Sequence, residues 1–176
     1  MVWAVVLAAG AASRFGAPKQ RLLLAPVLEC VGASGVDGVL VVTGAHEVET
    51  DARTVHCPDW ERGPGASLRC GLAALPEEAE AAVVVLADGP NLQPAAIDRV
   101  IARWRDEHAP VVAATYRGTR LHPVLLDRAV WKEVPDEGAK RLDAVLVSCD
   151  DLTPPGDVDF ADELPNDLKP WSSPDP

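Results

Sequence analysis

An arginine and a lysine, Arg14 and Lys19, follow a run of small residues in the stretch LAAGAASRFGAPKQ, which begins at Leu7. A guanidinium group offers a planar fork of donors that fits phosphate oxygens, and an ammonium group adds a compact point charge. Ahead of them, the segment Ala8-Ala9-Gly10 has almost no side-chain bulk, so consecutive backbone N–H groups can form a concave anion site. These residue types favour binding of a phosphate-bearing molecule, and a surface loop with solvated charges is the alternative.

The spacing of this stretch excludes two standard phosphate-binding loops. A Walker A loop has four residues between its glycines and a lysine directly after the second one, whereas five residues separate Gly10 from Gly16 and Lys19 comes later. A dinucleotide fingerprint has glycine two positions after the first, and Ala12 stands there. The missing fingerprint argues against an oxidoreductase of the Rossmann type.

Short, continuous, valine-rich runs predict the strands that must position these residues. The predicted strands cover residues 2–7, 39–42, 54–57, 82–86, 111–115 and 122–126. Helical periodicity is clear at 67–75 and 94–105, and weaker at 127–133 and 139–147. This alternation predicts a three-layer α/β/α sandwich with a mainly parallel sheet, in one domain over residues 1–164 followed by a proline-rich tail at 165–176. Because ligands bind beyond the carboxyl ends of parallel strands, we expect the LAAG loop and Asp88 to share a site.

Composition limits the classes of partner. The chain has 176 residues, and its formal net charge of −11 disfavours binding to nucleic acid. It has neither an apolar run of membrane-helix length nor a signal peptide, so no membrane association and a cytoplasmic location are expected. The four scattered cysteines form no CxxC pair and are expected to be reduced thiols.

The stretch from Leu7 resembles the signature of the MobA-like nucleotidyltransferases. Four further segments are similar to motifs of that family, in the family's order. They are CPDWERGPGASLRCGLAAL from Cys57, VVVLADGPNLQPAAID from Val83, GTRLHPVLL from Gly118 and DVDFADEL from Asp157. The resemblance covers most of the chain and implies a Rossmann-like nucleotidyltransferase fold of the GT-A-like type.

The same resemblance implies transfer of a nucleoside monophosphate from an NTP to a phosphate on an acceptor, with release of pyrophosphate. It implies Mg²⁺ held by Asp88 and Asp159, which suits the oxygen ligands that Mg²⁺ prefers. The catalytic residues implied are Arg14, Lys19 and Asp88; the nucleotide-binding residues are Leu7, Ala8, Ala9, Gly10, Gly65, Ser67 and Leu68; and His122 lies on the acceptor side.

Within the family, Ala9 favours the cytidylyltransferases of molybdenum cofactor synthesis, because the guanylyltransferase branch usually has glycine there. That branch implies CTP, the phosphorylated acceptor molybdopterin, and a molybdoenzyme or its chaperone as a protein partner. A guanylyltransferase remains an alternative, and a sugar-phosphate nucleotidyltransferase would find little room in so short a chain.

Several positions depart from the family pattern, mostly on the acceptor side. Gly89 replaces the usual glutamine of Asp-Gln-Pro, Leu121 replaces the glycine before His-Pro, and Phe160-Ala161 replaces Thr-Pro. The segment after Lys19 is compressed by about ten residues. These departures motivate a second hypothesis, a nucleotide- or partner-binding module that has lost turnover.

Individual residues also have simpler interpretations. Asp88 could form a hydrogen bond only within its own turn, and Ser67 could be a helix N-cap. His122 could have a structural role and make no contact with the acceptor. Asp159 lies in an acidic run that could simply be solvated.

Overall fold

The computed structural model describes residues 1–10 and 20–156, and its sheet contains seven strands. The strands are β1 (Val2–Leu7), β2 (Gly38–Thr43), β3 (Arg53–His56), β4 (Ala81–Leu86), β5 (Val111–Tyr116), β6 (Thr119–Asp127) and β7 (Val145–Ser148). The helices are α1 (Gln20–Gly32), α2 (Pro64–Ala73) and α3 (Pro94–Glu107). Short 3₁₀ turns cover Trp60–Arg62, Arg128–Glu133 and Ala139–Arg141.

The strand order is β3-β2-β1-β4-β6-β5-β7. The pairs β1–β2, β1–β4, β2–β3 and β5–β7 are parallel, and only β6 runs antiparallel to its two neighbours. The predicted mainly parallel sheet is confirmed. After β1 the chain moves outward to β2 and β3 and then returns to the other side of β1 with β4. The boundary between β1 and β4 is therefore a topological switch point, where sheets of this type bind ligands.

Two apolar cores flank the sheet and make the predicted three layers. One contains α1 and α3, whose Ile97, Ile101 and Trp104 are buried against the sheet as the predicted periodicity requires. The other contains α2, whose Leu68 and Leu72 pack on the opposite face. Central strands are buried on both faces, which explains why their sequences are continuously apolar rather than alternating.

The six predicted strands are confirmed, and the weaker helical predictions need correction. Residues 127–133 form the 3₁₀ turn Arg128–Glu133, in which the Asp127 carboxylate accepts from the Ala129 N–H at 2.9 Å. The helix predicted over 139–147 is wrong, since only the turn Ala139–Arg141 is helical and the next residues form β7 beside β5. The apolar run of β7 fits the open edge beside β5, which its local pattern could not reveal.

The prediction that all four cysteines are reduced is also wrong. Cys57, directly after β3, forms a disulfide with Cys70 on α2, while Cys30 and Cys149 are free thiols. This bond ties α2 to the β3 end of the sheet. No helix in the described ranges has the length and apolarity needed to cross a membrane.

Candidate functional site

The carboxyl ends of β1 and β4 lie side by side at the switch point, and backbone hydrogen bonds fix the loops that follow them. The Ala87 N–H donates to the Leu7 carbonyl at 3.1 Å, and the Ala8 N–H donates to the Val42 carbonyl at 2.9 Å. The LAAG loop is therefore held between the ends of β2 and β4 before it reaches Gly10.

A cavity of about 330 Å³ opens at this point, and we call it the β1 cavity. Its lining residues are Leu7, Ala9, Gly10, Trp60, Glu61, Gly63, Pro64, Ser67, Leu86 and Asp88. Gly10 is exposed and lines the cavity with backbone, because glycine has no side chain. The cavity thus combines accessible backbone, a serine hydroxyl and the half-buried carboxylate of Asp88.

The structure brings together five of the residues predicted from sequence: Leu7, Ala9, Gly10, Ser67 and Asp88. Ser67 lies within α2, whose N-cap is Gly63, so the interpretation of Ser67 as an N-cap does not hold. The other three predicted nucleotide-binding residues do not line this cavity. Ala8 is buried in the α1–α3 core, Leu68 faces a second cavity, and Gly65 is buried at the start of α2.

Gly65 has a clear packing reason to be glycine. A Cβ at this position would lie 1.7 Å from the carbonyl oxygen of Pro135, and the Gly65 N–H donates to the Asp136 carbonyl at 2.9 Å. The start of α2 is therefore packed directly against the 135–136 backbone. A direct contact between Gly65 and the nucleotide stays a prediction.

A second cavity, of about 310 Å³, lies against β6 and is called the β6 cavity. Its walls are mostly apolar side chains, contributed by Leu7, Pro64, Leu68, Val84, Leu86, Leu121, Val124, Ala139 and Pro155. Its charged or polar side chains are Arg120, His122, Glu137 and Lys140. The two cavities adjoin, because Leu7, Pro64 and Leu86 line both of them.

His122 is buried in the wall of the β6 cavity, with 9% of its surface exposed. Neither ring nitrogen has a hydrogen-bond partner among the described residues. Burial lowers the pKa of His122 to about 4, and the nearby Asp88 carboxylate opposes that shift only in part. The imidazole is therefore neutral near pH 7, with one donor and one acceptor nitrogen.

The ring of His122 packs against Gly89, the residue that follows Asp88. A Cβ on Gly89 would lie 2.6 Å from Nε2 and 2.7 Å from Cε1 of His122, distances that real contacts do not show. A side chain at position 89 would therefore force the imidazole to move. This contact links the β6 cavity to the Asp88 end of the β1 cavity.

Arg120 supplies a fixed positive charge in the β6 cavity. Its guanidinium donates to the carbonyls of Leu142 at 2.7 Å and Ala139 at 3.0 Å, while the buried Nε has no partner within 1–10 and 20–156. Desolvation lowers the pKa of Arg120 and the charge of Asp143 raises it. Arg120 therefore brings a positive charge to the lining of the β6 cavity, with the opposing charge of Asp143 acting on it.

The chain matches the description MobA-like NTP transferase domain over residues 4–151. It belongs to that family. The 2-C-methyl-D-erythritol 4-phosphate cytidylyltransferase of Stenotrophomonas maltophilia strain K279a is 35% identical over an alignment of 144 residues, and the match covers 67% of this chain and 59% of that enzyme. The bifunctional enzyme IspD/IspF of Nitratidesulfovibrio vulgaris strain DP4 is 32% identical over an alignment of 135 residues, and the match covers 62% of this chain and 34% of the enzyme. The chain thus spans about a third to three fifths of these curated relatives.

Solved structures agree with this family assignment. Rv0371c of Mycobacterium tuberculosis H37Rv has a TM-score of 0.75 at 27% identity, covering 92% of this chain and 94% of its own. A CMP:2-keto-3-deoxy-manno-octonic acid synthetase complexed with CTP has a TM-score of 0.68 at 13% identity, covering 92% and 94% of the two chains. The second likeness shows the fold alone. The predicted Rossmann-like fold of the nucleotidyltransferase type is confirmed.

Asp88 is the described residue best suited to hold the divalent metal that the family implies. Its carboxylate lines the β1 cavity beside open backbone, and Mg²⁺ is commonly held by one or two carboxylates together with substrate phosphates and water. No cluster of three or more metal-ligating side chains occurs in the described residues. One carboxylate suits a metal whose other ligands include the phosphates of a bound nucleotide and water. Arg14, Lys19 and Asp159 lie outside the described residues, and their roles remain predictions.

Three residues that line the cavities were not predicted from the sequence: Trp60, Glu61 and Arg120. Trp60 and Glu61 line the β1 cavity. They lie within the segment from Cys57 that resembles a family motif, which is the signal that could have found them. Arg120 had the same kind of signal, because it lies within the segment GTRLHPVLL from Gly118 that resembles a family motif. Its contacts with the Ala139 and Leu142 carbonyls could not be predicted from that segment.

Proposed function

We propose that this protein transfers CMP from CTP to a phosphorylated acceptor with release of pyrophosphate. The observation that carries the proposal is the pair of adjoining cavities at the switch point, which share Leu7, Pro64 and Leu86. Transfer between two substrates needs two neighbouring sites, so that the acceptor phosphate can attack the α-phosphate in line. The β1 cavity would receive the nucleotide, and the β6 cavity the acceptor.

In the proposed reaction some residues of this chain would position the substrates, and others would stabilise the negative charge of the phosphates. Backbone groups of the LAAG loop and the Ser67 hydroxyl would orient the nucleotide. Asp88, together with Asp159, would hold Mg²⁺, which supplies charge stabilisation to the phosphates. Arg14 and Lys19 would stabilise the charge that develops on the departing pyrophosphate. Leu7 and Leu86, between the cavities, would limit the access of water to the reacting phosphates.

Molybdopterin is the acceptor that we favour, on the motif resemblance of the whole chain and on Ala9. A molybdoenzyme or its chaperone would then receive the product. The second candidate acceptor is 2-C-methyl-D-erythritol 4-phosphate, because cytidylyltransferases for that compound are among the sequence relatives. Because Gly89 and Leu121 depart from the family pattern, a binding module without turnover remains an alternative. A guanylyltransferase is another, and it would differ in the base of the nucleoside triphosphate that it binds.

The test is a thermal-shift panel of CTP, GTP, ATP, UTP and NADPH, each with and without Mg²⁺, followed by assay of pyrophosphate release with each acceptor. A ligand at about 100 times its Kd stabilises a protein by about 2.7 kcal/mol, and each kcal/mol raises Tm by about 2–4 °C in a domain of this size. We expect an Mg²⁺-dependent shift with CTP and pyrophosphate release that requires an acceptor. A shift with NADPH alone would refute the proposal. Nucleotide binding without turnover on either acceptor would favour the binding module.

A further inference from the structure

The disulfide between Cys57 and Cys70 closes a segment that forms one wall of the β1 cavity. Half of the residues that line this cavity lie between the two cysteines, and they are Trp60, Glu61, Gly63, Pro64 and Ser67. A covalent bond between the ends of a segment restricts the conformations that the segment can adopt. The wall of the β1 cavity therefore has a constraint that reduction would remove.

The first half of this segment depends on the disulfide more than the second half does. Every residue from 58 to 63 is exposed or half-buried, so few apolar contacts hold this part in place. The ion pair between Arg62 and Asp136, at 3.2 Å, is exposed and contributes little. In α2, by contrast, Leu68 is buried in the apolar core and Gly71 lies close against β1 and β2. After reduction α2 should keep its place, while residues 58–63 gain conformational freedom.

Trp60 connects residues 58–63 with the rest of the β1 cavity. Its side chain packs on Gly44, where a Cβ would lie 2.7 Å from Cβ and Cγ of the tryptophan. The next residue, Ala45, donates its N–H to the Ala9 carbonyl at 3.1 Å, and Ala9 lines the cavity. A change in the position of residues 58–63 would therefore reach the LAAG loop through direct contacts.

The surroundings of the two cysteines suit the thiols as well as the disulfide. Sγ of Cys57 lies 3.6 Å from the carbonyl oxygen of Ala66, so the thiol of a reduced Cys57 would find an acceptor in its buried position. Cys70 is half-buried on α2, whereas Cys57 is fully buried, so a reductant would reach the sulfur of Cys70 first. The bond can thus be reached from outside, and the reduced form leaves no buried thiol without a partner at Cys57.

We propose that Cys57 and Cys70 form a redox switch of nucleotide affinity, in which the disulfide orders residues 58–63 at the β1 cavity and strengthens nucleotide binding. This inference rests on the proposed function, since it takes the β1 cavity as the nucleotide site. Ordering a binding segment in advance raises affinity, because less conformational entropy is lost when the ligand binds. In compartments that keep thiols reduced, such as the cytoplasm expected from the sequence, disulfides are usually transient and redox-sensing.

The reaction that operates the switch is thiol–disulfide exchange with a dithiol. A thiolate of the dithiol attacks Sγ of Cys70, the bond between the two cysteines breaks, and Cys57 leaves as a thiolate that takes up a proton. The second thiol of the reductant then attacks the mixed disulfide, releases Cys70 and leaves as a cyclic disulfide. Two electrons pass from the dithiol to the cysteine pair, and its two protons end on the cysteine thiols.

The test compares titration calorimetry of CTP with Mg²⁺ into oxidised protein and into protein reduced with dithiothreitol. The variant Cys30→Ser/Cys149→Ala keeps the disulfide and has no other cysteine, so its response to dithiothreitol belongs to the pair. We expect the Kd for CTP to rise at least about fivefold on reduction, the low end of the usual coupling between sites. The matched control, Cys57→Ser/Cys70→Ser, should bind CTP as weakly as the reduced protein and should not respond to dithiothreitol.

Thermodynamic linkage supplies an independent measurement of the same coupling. Saturating CTP with Mg²⁺ must make the disulfide harder to reduce by the factor by which reduction weakens CTP binding. Equilibration in mixtures of reduced and oxidised dithiothreitol, with alkylated thiols counted by mass spectrometry, measures that factor. Hydrogen exchange locates the change, because amides within 59–63 should exchange faster in the reduced protein while those of α2 stay protected.

The outcomes separate this inference from the proposed function. Equal affinity for CTP in the two redox states, or tighter binding by the reduced protein, would overturn the switch and leave the proposed function intact. Loss of protection in α2 on reduction would mean that the whole domain unfolds, which would also overturn a local switch. If neither form binds CTP, GTP, ATP or UTP, the proposed function fails, and the redox control of nucleotide binding fails with it.

Discussion

The imidazole of His122 fills the space that a side chain at Gly89 would need, since a Cβ on Gly89 would lie 2.6 Å from Nε2 of the ring. The φ angle of Gly89 is not in the left-handed range, so the backbone itself would accept another residue. What excludes a side chain is the ring. The glycine at position 89, which departs from the family pattern, therefore goes together with the buried position of the His122 ring.

Gly89→Ala should displace the imidazole and weaken the acceptor site. We expect KM for the acceptor to rise about tenfold, the scale of one lost hydrogen bond of about 1.4 kcal/mol, with little change in the affinity for CTP. Steady-state kinetics in the acceptor, with CTP binding measured separately, checks this. Gly32→Ala is the control, because a Cβ at Gly32 meets none of the described atoms within 4 Å. If the KM for the acceptor and the Kd for CTP both rise, the substitution has damaged the site as a whole rather than removed the His122 contact.

The buried imidazole should also make stability depend on pH. The pKa of His122 is about 4 in the folded protein, below the ordinary value of 6.5, because burial disfavours the charged ring more than Asp88 favours it. Between these values the unfolded chain binds more protons, so lowering the pH favours unfolding. The neutral His122 ring contributes about 3 kcal/mol to the free energy of unfolding. This contribution is complete above pH 6.5 and is lost as the pH falls toward 4.

Urea denaturation of the wild type and of His122→Gln at several values between pH 7.5 and 4.5 measures this contribution. The free energy of unfolding of the wild type should fall more steeply than that of the variant over this range. Because other titrating groups are shared, the difference between the two curves isolates the histidine. Parallel curves would mean that the ring is solvated or charged in the folded protein.

The switch-point site could be predicted from the sequence because its parts are local. Each valine-rich run identifies a buried strand, and the LAAG loop and Asp88 each follow such a run directly. Once β1 and β4 are known to be parallel neighbours, their carboxyl ends must meet. Sequence and fold therefore agree on Leu7, Gly10 and Asp88.

The features that escaped prediction all depend on contacts between distant segments. β7 was predicted as helix because its short apolar run is ambiguous until β5 offers an edge for it. The close packing of Gly65 against the Pro135 carbonyl could not be predicted from the sequence either, while its contact with a nucleotide stays a prediction. The pairing of Cys57 with Cys70 depends on how α2 lies across the sheet, and their spacing has no motif to reveal it.

The disulfide between Cys57 and Cys70 should contribute measurable stability. Closing a loop of 13 residues in the unfolded chain typically stabilises a protein by about 2–4 kcal/mol. Reduction with dithiothreitol should lower Tm of the wild type and leave Tm of a Cys57→Ser/Cys70→Ser double variant unchanged. Mass spectrometry of the alkylated protein counts the free thiols. Four thiols in the protein purified without reductant would contradict the pairing, and Cys30→Ser, which removes an unpaired thiol, is the control.

Asp88→Asn should uncouple nucleotide binding from the metal. An amide keeps the size of the carboxylate but loses the charge that a hard divalent cation requires. We expect the wild type to bind CTP more tightly with Mg²⁺ than with EDTA, and the variant to bind it equally under both conditions. Turnover should fall by roughly 10²–10³, the scale of losing one preorganised electrostatic contact.

Titration calorimetry with CTP in Mg²⁺ and in EDTA provides the comparison for Asp88→Asn. Asp106→Asn is the matched control, because Asp106 lies on the exposed side of α3 outside both cavities. An unchanged response to Mg²⁺ in Asp88→Asn would assign the metal to other carboxylates. Glu61, which also lines the β1 cavity, would then be the first carboxylate to test.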